Sequence, residues 1–431
     1  MKPIFTLLLF FISLYLVAQD NIYPAPAQTE TIVIKNGILH TATGQVIPHG
    51  SIVFKNGKIE AVGANIVLPT QARIIDATGQ HVYPGLILPD TDLGLKEIGS
   101  GVRGSNDYSE LGEWNPNVKS IGAYDATSMI INTLRSNGVL LAQVSPRGNL
   151  LTGTSSVVQL DAWNAEDAAY KKDNGMYLNL PRLMQPMGRF ARMMSPEANP
   201  LKSGLDKINE VQQFFTEARA YFLISDKKET NLKFEALRPL FEKKQKLFIN
   251  ANTARQILWA IDFKKKFGFD IVIVGASDSY LVADLLKQNN ISVILSALHN
   301  LPTLQDDAID QPYKTPAILQ NAGVLFALND DHANARYRNL PFNAGTAVAY
   351  GLNKEDALKA ITLNAAKILG IDSRTGSLEA GKDANIIISS GDLLDMRNSK
   401  VIHAFIQGRE IDLNNKQTQL FQRYKTRYGI N

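Results

Sequence analysis

The sequence predicts an α/β fold in which a parallel sheet, closed as a barrel or left open, is accompanied by a small all-β domain. Between about residues 138 and 331, short continuous apolar runs alternate with amphipathic helical stretches. This is the pattern of βα units whose strands are covered on both faces. Towards both ends of the chain, short apolar runs are instead separated by turn residues, which is typical of antiparallel sheet.

The first eighteen residues have the pattern of a secretory signal peptide. Lys2 gives a positive start, residues 4–17 are nearly all apolar, and Ala18 supplies a small residue for cleavage. The apolar run is shorter than the roughly 20 residues of a membrane-spanning helix, so an uncleaved anchor is the weaker alternative. We therefore expect an exported protein, periplasmic or extracytoplasmic, with no stable membrane span after signal cleavage.

Composition excludes several classes of protein. The chain has no cysteine, which rules out disulfides and thiolate metal ligands. Lys and Arg number 45 and Asp and Glu 41, so the net charge is only 45 − 41 = +4. No basic stripe interleaves with aromatic residues, and we expect no nucleic-acid partner.

The all-β domain is predicted from two separated stretches. In the first, the pairs Asn36-Gly37 and Asn56-Gly57 stand between apolar runs, which indicates hairpin turns. Similar turn-rich sequence returns after a helical stretch at 355–370, so both chain ends can form one small β-sandwich around an inserted barrel. The predicted divisions are a signal peptide at 1–18, a tether at 19–30, the composite sandwich at 31–84 and 376–414, the barrel domain at 85–375, and a C-terminal helix packed on the body within 415–431.

The predicted strands of the inserted domain each end in polar residues. After the strand at 82–88, they lie at 138–145, 246–252, 270–276, 291–297 and 323–331. The carboxyl ends of parallel strands carry the functional site in α/β folds. No phosphate loop or dinucleotide-binding fingerprint follows any of these strands.

The segment H-V-Y-P-G-L-I-L-P-D-T-D-L, residues 81–93, is the most informative of these strand ends. Asp90 and Asp92 follow the buried strand and are spaced one residue apart. Residues i and i+2 of an extended chain point to the same side, so both carboxylates can face one point and share a metal ion.

Four motifs give the chain a resemblance to a known family. They are V-Y-P-G-L-I at 82–87, N-A-G-T-A-V-A-Y-G-L at 343–352, A-L-K-A-I-T-L-N-A-A-K-I-L-G at 357–370 and G-S-L-E-A-G-K-D-A-N-I-I-I at 376–388. Together they resemble the amidohydrolase superfamily, in its imidazolonepropionase-like or prolidase-like branch. The resemblance implies a (β/α)₈ TIM-like barrel with a β-sandwich from both termini, and one or two divalent metals that activate water to hydrolyse C–N bonds.

The metal-ligand pattern that the resemblance implies is mostly absent. Asp90 and Asp92 occupy the positions of the first-strand His-x-His pair. Strand five ends with Asn250 and Asn252, and strand six with Val-Gly-Ala at 274–276, where the family usually has histidines. Asp331 matches the strand-eight aspartate that would act as the catalytic base, with Asp330 as the competing alignment.

Two interpretations of the acidic residues stay open. Asp90, Asp92 and Asp331 could hold a hard cation such as Ca²⁺, Mg²⁺ or Mn²⁺, completed by amide oxygens of Asn250 and Asn252. Alternatively, the metal has been lost and the two asparagines bind one another, a ligand or neighbouring loops. The cofactor is therefore none or a divalent metal, and we favour loss.

Other candidate ligand-binding residues lie near predicted strand ends. Arg147 stands in the segment 145–156, whose backbone N–H groups could also bind an anion. His299 follows strand seven, and His332 and Arg338 follow strand eight, where an arginine could bind a substrate carboxylate. Each could equally be an ordinary loop residue.

These observations predict an exported amidohydrolase-like protein with a degenerate metal site. We expect it to be catalytically weak or silent and to bind a small-molecule or peptide-like ligand, or a partner, at the barrel mouth. A sister amidohydrolase subunit or a second copy of the chain would be such a partner. The alternative is an active hydrolase with an oxygen-rich or single-metal site.

Overall fold

A computed structural model describes residues 23–97, 106–184, 199–302, 306–331 and 334–430, which form two β-sheets with helices around the second. The strands are β1 (Ile32–His40), β2 (Val46–Lys55), β3 (Lys58–Gly63), β4 (Arg73–Asp76), β5 (His81–Pro84), β6 (Leu86–Thr91), β7 (Val139–Val144), β8 (Leu151–Gln159), β9 (Ala169–Asn179), β10 (Lys246–Ala251), β11 (Ile271–Gly275), β12 (Ser292–Leu295), β13 (Phe326–Leu328), β14 (Ile386–Ser389), β15 (Val401–Ile406) and β16 (Arg409–Glu410).

The helices in the same ranges are α1 (Met129–Arg135), α2 (Ala165–Ala168), α3 (Pro200–Leu223), α4 (Leu232–Glu235), α5 (Arg238–Phe241), α6 (Ala254–Phe267), α7 (Ala283–Gln288), α8 (Gln311–Asn321), α9 (Leu340–Ala349), α10 (Lys354–Ala360), α11 (Leu363–Leu369) and α12 (Lys416–Tyr428). Short 3₁₀ helices lie at Ser120–Gly122, Ser279–Val282 and Asn334–Asn339. Within the described ranges, no helix is both long enough and apolar enough to cross a membrane.

The first sheet is built from both ends of the chain. Its strand order is β16-β15-β14-β5-β1-β2-β3, and β4 pairs with β1. The two chain ends meet where β14 runs antiparallel to β5, with Ile387 opposite Tyr83. Of the two predicted hairpin turns, Asn56-Gly57 is confirmed: both residues have positive φ and connect β2 to β3.

The other predicted hairpin turn was wrong. Asn36-Gly37 lies inside β1, at an irregularity in its pairing with β2, and Asn36 has a φ of 61°. A Cβ on Gly37 would lie 2.7 Å from Val82 Cγ2, so glycine is required by close packing against β5. The local signal for positive φ was correct, but it marks a bulge and not a chain reversal.

The second sheet is a nearly closed barrel of eight strands in the order β6 to β13. The predicted α/β class with a TIM-like barrel and a separate β-sheet is thus confirmed. One strand departs from the all-parallel arrangement, because β8 runs antiparallel to both β7 and β9. The segment 145–156, which sequence analysis treated as one loop, is therefore a short turn at 145–150 followed by the start of β8.

The barrel strands are buried on both faces, which explains their continuous apolar sequences. Alternate residues such as Ile87, Phe248 and Val272 form one cluster, and α11 adds Ile368 and Leu369 to it. The intervening residues belong to a larger cluster with the surrounding helices. Helix α11 packs against residues near the amino ends of the strands. The carboxyl ends are not covered by this helix and stay open for a functional site.

Helix predictions were accurate where local capping fixes the boundaries. The predicted helix at 254–267 coincides with α6, which starts with a Thr253–Gln256 capping box and ends at Gly268, with a φ of 75°. The single helix predicted at 355–370 is instead divided between α10 and α11. Its interruption is at Thr362, whose φ and ψ of −136° and −93° are not helical.

Candidate functional site

A cavity of about 320 Å³ opens at the carboxyl ends of the barrel strands. Six of the residues singled out from the sequence line it, namely Asp90, Asp92, Arg147, Asn250, Asn252 and Asp331. These residues come from segments far apart in the chain, so the barrel brings them together. The lining residues that the sequence did not single out include Asn329 and Tyr337.

The buried Asp90 forms an ion pair with the partly exposed Arg147. Nη1 of Arg147 donates to both carboxylate oxygens of Asp90, at 3.1 and 3.0 Å, and Ser145 Oγ donates to Oδ1 at 2.5 Å. Burial opposes the charge on Arg147, but the carboxylates of Asp90 and Asp92 outweigh it and raise the pKa of the guanidinium. Arg147 is therefore a permanent cation at this strand end, and the β7–β8 turn places it there.

Asp92 has a different partner. The hydroxyl of Tyr337 donates a short hydrogen bond to Asp92 Oδ1, from the 3₁₀ helix that follows β13. Burial, reinforced by the Asp92 carboxylate, raises the pKa of Tyr337, so its phenol stays protonated and remains a donor. Tyr337 directly precedes Arg338, and sequence analysis considered only His332 and Arg338 in this stretch.

Asn250 supports the turn that carries Arg147. Its side-chain amide donates to Asn179 Oδ1, and Asn179 Nδ2 donates to the backbone oxygens of Gly148 and Asn149 at 2.9 and 2.7 Å. Of the alternatives considered for Asn250, the structure shows a bond that supports a neighbouring loop, because Asn250 pairs with Asn179 and not with Asn252.

The strand-six position leaves no room for a histidine. Gly275 has a φ of 91°, and a Cβ built on it would overlap Oδ1 of Asn252. Asn252 Oδ1 also accepts a hydrogen bond from Ser277 Oγ at 3.2 Å. The side chain of Asn252 thus fills the space that any side chain at 275 would need.

The structure separates the two aspartates at strand eight. Asp331 is exposed and lines the cavity, and its Oδ1 accepts from the Ala297 N–H at 3.0 Å. Asp330 is buried and is bonded through Oδ2 to Asn343 Nδ2 of α9, at 3.1 Å. Asp331 is therefore the aspartate available to a ligand.

Asn329 connects the two strands at the ends of the barrel order. Its Nδ2 donates to the backbone oxygen of Asp90 at 3.0 Å, which joins the end of β13 to β6. Its Oδ1 is buried and has no hydrogen-bond partner among the described residues. The cavity wall thus contains an unused acceptor.

A neutral polar network lies beneath Asp90 inside the barrel. Gln143 Nε2 donates to Tyr177 Oη at 2.8 Å and to the Pro89 oxygen at 3.1 Å, and Asn174 Nδ2 donates to Gln143 Oε1 at 2.5 Å. Burial, with a smaller contribution from Asp90, raises the pKa of Tyr177. Sequence analysis missed this network because Gln143 stands within an otherwise apolar strand.

Of the remaining candidate residues, the two that the structure describes, His299 and Arg338, do not line this cavity. His299 Nε2 lies 2.8 Å from Thr346 Oγ1, on α9. Arg338 lines a separate groove beside α12. His332 lies outside the described residues. A position just after a strand end therefore did not predict which side chains line the cavity, because adjacent loop residues point in different directions.

The side chains present do not fit the usual metal set. No group of three or more His, Cys, Asp or Glu side chains in the described ranges could hold a metal ion. Asp90 is bonded to Arg147 and Ser145, and Asp92 to Tyr337. Imidazoles are replaced by amides that are engaged in their own hydrogen bonds, so we derive no metal-dependent step.

Comparison with known proteins agrees with the fold. The chain matches the Amidohydrolase family profile over residues 269–411. The solved structure of an amidohydrolase from Thermotoga maritima MSB8 has a TM-score of 0.77 and 28% sequence identity, over 88% of this chain and 99% of that one.

The curated relatives include imidazolonepropionases. The enzyme of Symbiobacterium thermophilum is 26% identical over 386 residues, covering 80% of this chain and 84% of that protein. The enzyme of Thermoplasma volcanium is 36% identical over 117 residues, covering 27% and 29%. The matches to the first two curated relatives span only 29% and 42% of their lengths.

The barrel with a sheet from both chain ends defines the class of protein, and the profile match, the curated relatives and the solved structure support a member of the amidohydrolase superfamily. Within it, the chain is imidazolonepropionase-like in sequence. The superfamily includes hydrolases and deaminases, and its members commonly use a divalent metal such as zinc. Neither Asp90 nor Arg147 falls within the part that matches the family profile.

Proposed function

We propose that this protein is an exported member of the superfamily that binds a small cationic ligand at its barrel mouth and is catalytically weak or silent. One observation carries this proposal: Arg147 Nη1 lies against both oxygens of Asp90, at the strand end where the family resemblance places a metal ligand. The guanidinium supplies the positive charge that the Asp90 carboxylate would otherwise receive from a metal.

Electrostatics disfavour a divalent ion beside this ion pair. At a separation of about 4 Å and an effective dielectric constant of about 20, a +2 ion and a guanidinium repel by about 8 kcal/mol. Without a metal, the pKa of water stays near ~15.7 and not ~7. Asp331 alone is then a poor means of producing hydroxide, which supports weak or absent hydrolysis.

The cavity favours a cation that donates hydrogen bonds. Its charged lining groups are Asp90, Asp92 and Asp331 against Arg147, a formal charge of 1 − 3 = −2. Because Arg147 neutralises Asp90, the excess negative charge belongs to Asp92 and Asp331. A primary ammonium group carries three donors and no acceptor, which suits these carboxylates. A volume of 320 Å³ is at the small end of ligand sites.

Calorimetric titration tests this function. The ligands are small diamines and dipeptides with a free amino terminus, each compared with its N-acetylated form, and Zn²⁺, Mn²⁺ and Ca²⁺. We expect saturable binding of free amines, loss on acetylation, and at least tenfold weaker binding in Asp92→Asn. Asp412→Asn, an exposed aspartate on another surface, is the matched control.

One result would instead establish the active-hydrolase alternative. Protein purified without chelators would contain a stoichiometric divalent ion, and the Asp90→Ala/Asp92→Ala variant would lack this ion. The protein would also hydrolyse dipeptides or hydantoin-like amides in a metal-dependent reaction. Export is tested separately by cell fractionation with sequencing of the mature amino terminus. Cleavage after Ala18 is expected, and an intact Met1 in the cytoplasmic fraction would contradict it.

A further inference from the structure

The C-terminal helix α12 contacts the body of the protein at its start, where Thr133 Oγ1 donates to Gln417 Oε1 at 3.2 Å. None of its residues is buried, so the expected packing on the body covers little of the helix. Its ends are well defined, by a capping box between Asn415 and Thr418 and by Gly429 with a φ of 61°. Most of its side chains are therefore available to a partner outside the chain.

The side chains of α12 are sorted around its axis. At 100° per residue, Leu420, Phe421, Tyr424 and Tyr428 fall within an arc of about 100°. The three aromatic rings are 64%, 52% and 69% exposed. Basic residues border this arc, with Lys416, Arg423 and Arg427 on one side and Lys425 on the other, and the helix contains no acidic residue.

A second group of exposed apolar residues lies beside the start of α12. Tyr23, Met129 and Trp163 are 66%, 55% and 62% exposed, and the rings of Tyr23 and Trp163 are 5.9 Å apart. They line one cavity together with Lys416 and Gln419 of α12. We call these three residues and the aromatic arc of α12 the aromatic face.

Tyr23, a member of the aromatic face, lies close in the sequence to the apolar N-terminal run. Tyr23 is the first described residue, and the apolar run 4–17 precedes it by only a few residues. Its backbone is held nearby, because the Ala25 N–H donates to Asp161 Oδ2 at 2.9 Å. Both ends of the described chain therefore converge on the aromatic face.

We propose that the aromatic face docks onto a lipid bilayer with anionic headgroups. Tyrosine and tryptophan are enriched at the membrane–water interface, where their rings are partly apolar and partly wet. Helices with aromatic residues bordered by lysine and arginine lie in that interface and are attracted by anionic lipids. The basic residues of α12, a helix without any acidic residue, supply the charge complementarity.

A second copy of the chain is a poorer occupant. In a two-fold dimer the same patch meets itself, so the basic borders of two α12 helices would face one another. This arrangement would repel at low ionic strength, whereas anionic headgroups attract. The proposal does not depend on the ligand at the barrel mouth.

Vesicle co-sedimentation of the full chain tests the docking surface. Phosphatidylcholine vesicles are compared with vesicles that contain about a third phosphatidylglycerol, at low and high salt. Binding to the neutral phosphatidylcholine vesicles measures any contribution of the apolar N-terminal run, which carries no charge attraction. We expect stronger binding to anionic vesicles, weakened by salt and reduced more than tenfold in Arg423→Glu/Arg427→Glu.

The matched control is Lys202→Glu/Lys228→Glu, the same charge change at two exposed lysines elsewhere, which should change binding less than twofold. Circular dichroism confirms that each variant is folded. A second variant, Phe421→Ser/Tyr428→Ser, should also lose binding while keeping its charge. Equal binding to both kinds of vesicle, equal losses in test and control variants, or a dimer that Arg423→Glu/Arg427→Glu converts to monomer would each overturn the proposal.

Discussion

The side-chain amide of Asn329 donates to the backbone oxygen of Asp90 at 3.0 Å, and this bond joins the last strand of the barrel order to the first. The carboxylate of the same Asp90 is held by Arg147. Asp90 thus contributes both to closing the barrel and to the charge at the cavity. Variants in the site are therefore expected to change stability as well as binding.

Removing Arg147 should destabilise the fold. Arg147→Ala leaves the carboxylate of Asp90, which is 3% exposed, without its counter-charge. Breaking a buried pair in this way costs about 3 kcal/mol of unfolding free energy. Urea denaturation would measure the loss, with Arg336→Ala as the exposed control. In Asp90→Asn/Arg147→Ala part of the loss should be recovered, and equal stability of Arg147→Ala and the unmodified chain would contradict the ion pair.

Gly275 should tolerate no side chain. Gly275→Ala combines an unfavourable φ of 91° with an overlap with Asn252 Oδ1. Gly268→Ala is the matched control, since its φ is 75° and nothing lies near the added Cβ. We expect the control to lose about 1 kcal/mol and Gly275→Ala about 2 kcal/mol more. Equal decreases of the thermal midpoint in Gly275→Ala and Gly268→Ala would show that the Asn252 side chain moves aside without a loss of stability.

Asp383 should be important for joining the two sheets. Its carboxylate accepts from Tyr170 of β9 at 2.5 Å and pairs with Lys58 of β3 at 2.5 Å and Arg374 at 3.1 Å. Asp383→Asn should therefore lower the free energy of unfolding by about 3 kcal/mol, while Asp412→Asn should change it little. A loss of less than 1 kcal/mol in denaturant titration would contradict this role.

The pKa of Asp383 gives the same contact a pH dependence. Burial opposes ionisation, but the bonds from Lys58 and Tyr170 outweigh it and lower the pKa. A carboxyl group with a lowered folded-state pKa stabilises the fold above its ordinary pKa of about 4, and this contribution is lost as the pH falls below that value. Asp383→Asn should flatten the decline of stability between about pH 4.5 and 3.

His81 should make stability depend on pH near neutrality. Burial and the neighbouring His40 lower the pKa of His81. As the pH falls through about 6.5, the unfolded chain binds a proton that the folded chain resists, so stability is complete above this pH and declines below it. His81→Gln should reduce the decline in urea midpoint between pH 7.5 and 5.5, and the exposed His49→Gln should leave it unchanged. A decline of the same size in both variants would exclude His81 as its source.

Local signals were sufficient for most of the fold. Continuous apolar runs identified barrel strands because both faces of these strands are buried, and the Thr253–Gln256 box fixed the start of α6. The antiparallel β8 could not be predicted from such runs, since a buried strand has the same apolar pattern in either direction. Its direction is set by the short turn at 145–150.

The sequence predicted the members of the site better than their roles. Asp90 and Asp92 were expected on one side of a strand end, and both line the cavity. That Asp90 pairs with Arg147 and Asp92 with Tyr337 depends on distances between separate segments, which spacing along the chain does not contain. Arg147 was considered as an anion-binding residue, but the anion beside it is supplied by the protein itself.

Arg147 stands on a turn between β7 and β8 and not within a barrel strand. Turn residues can be exchanged without repacking the strands on either side, but Arg147 also neutralises a buried carboxylate and cannot be replaced alone without a loss of stability. Protein engineers who want a different ligand charge in this cavity would therefore change positions 90 and 147 together, so that the two side chains stay matched.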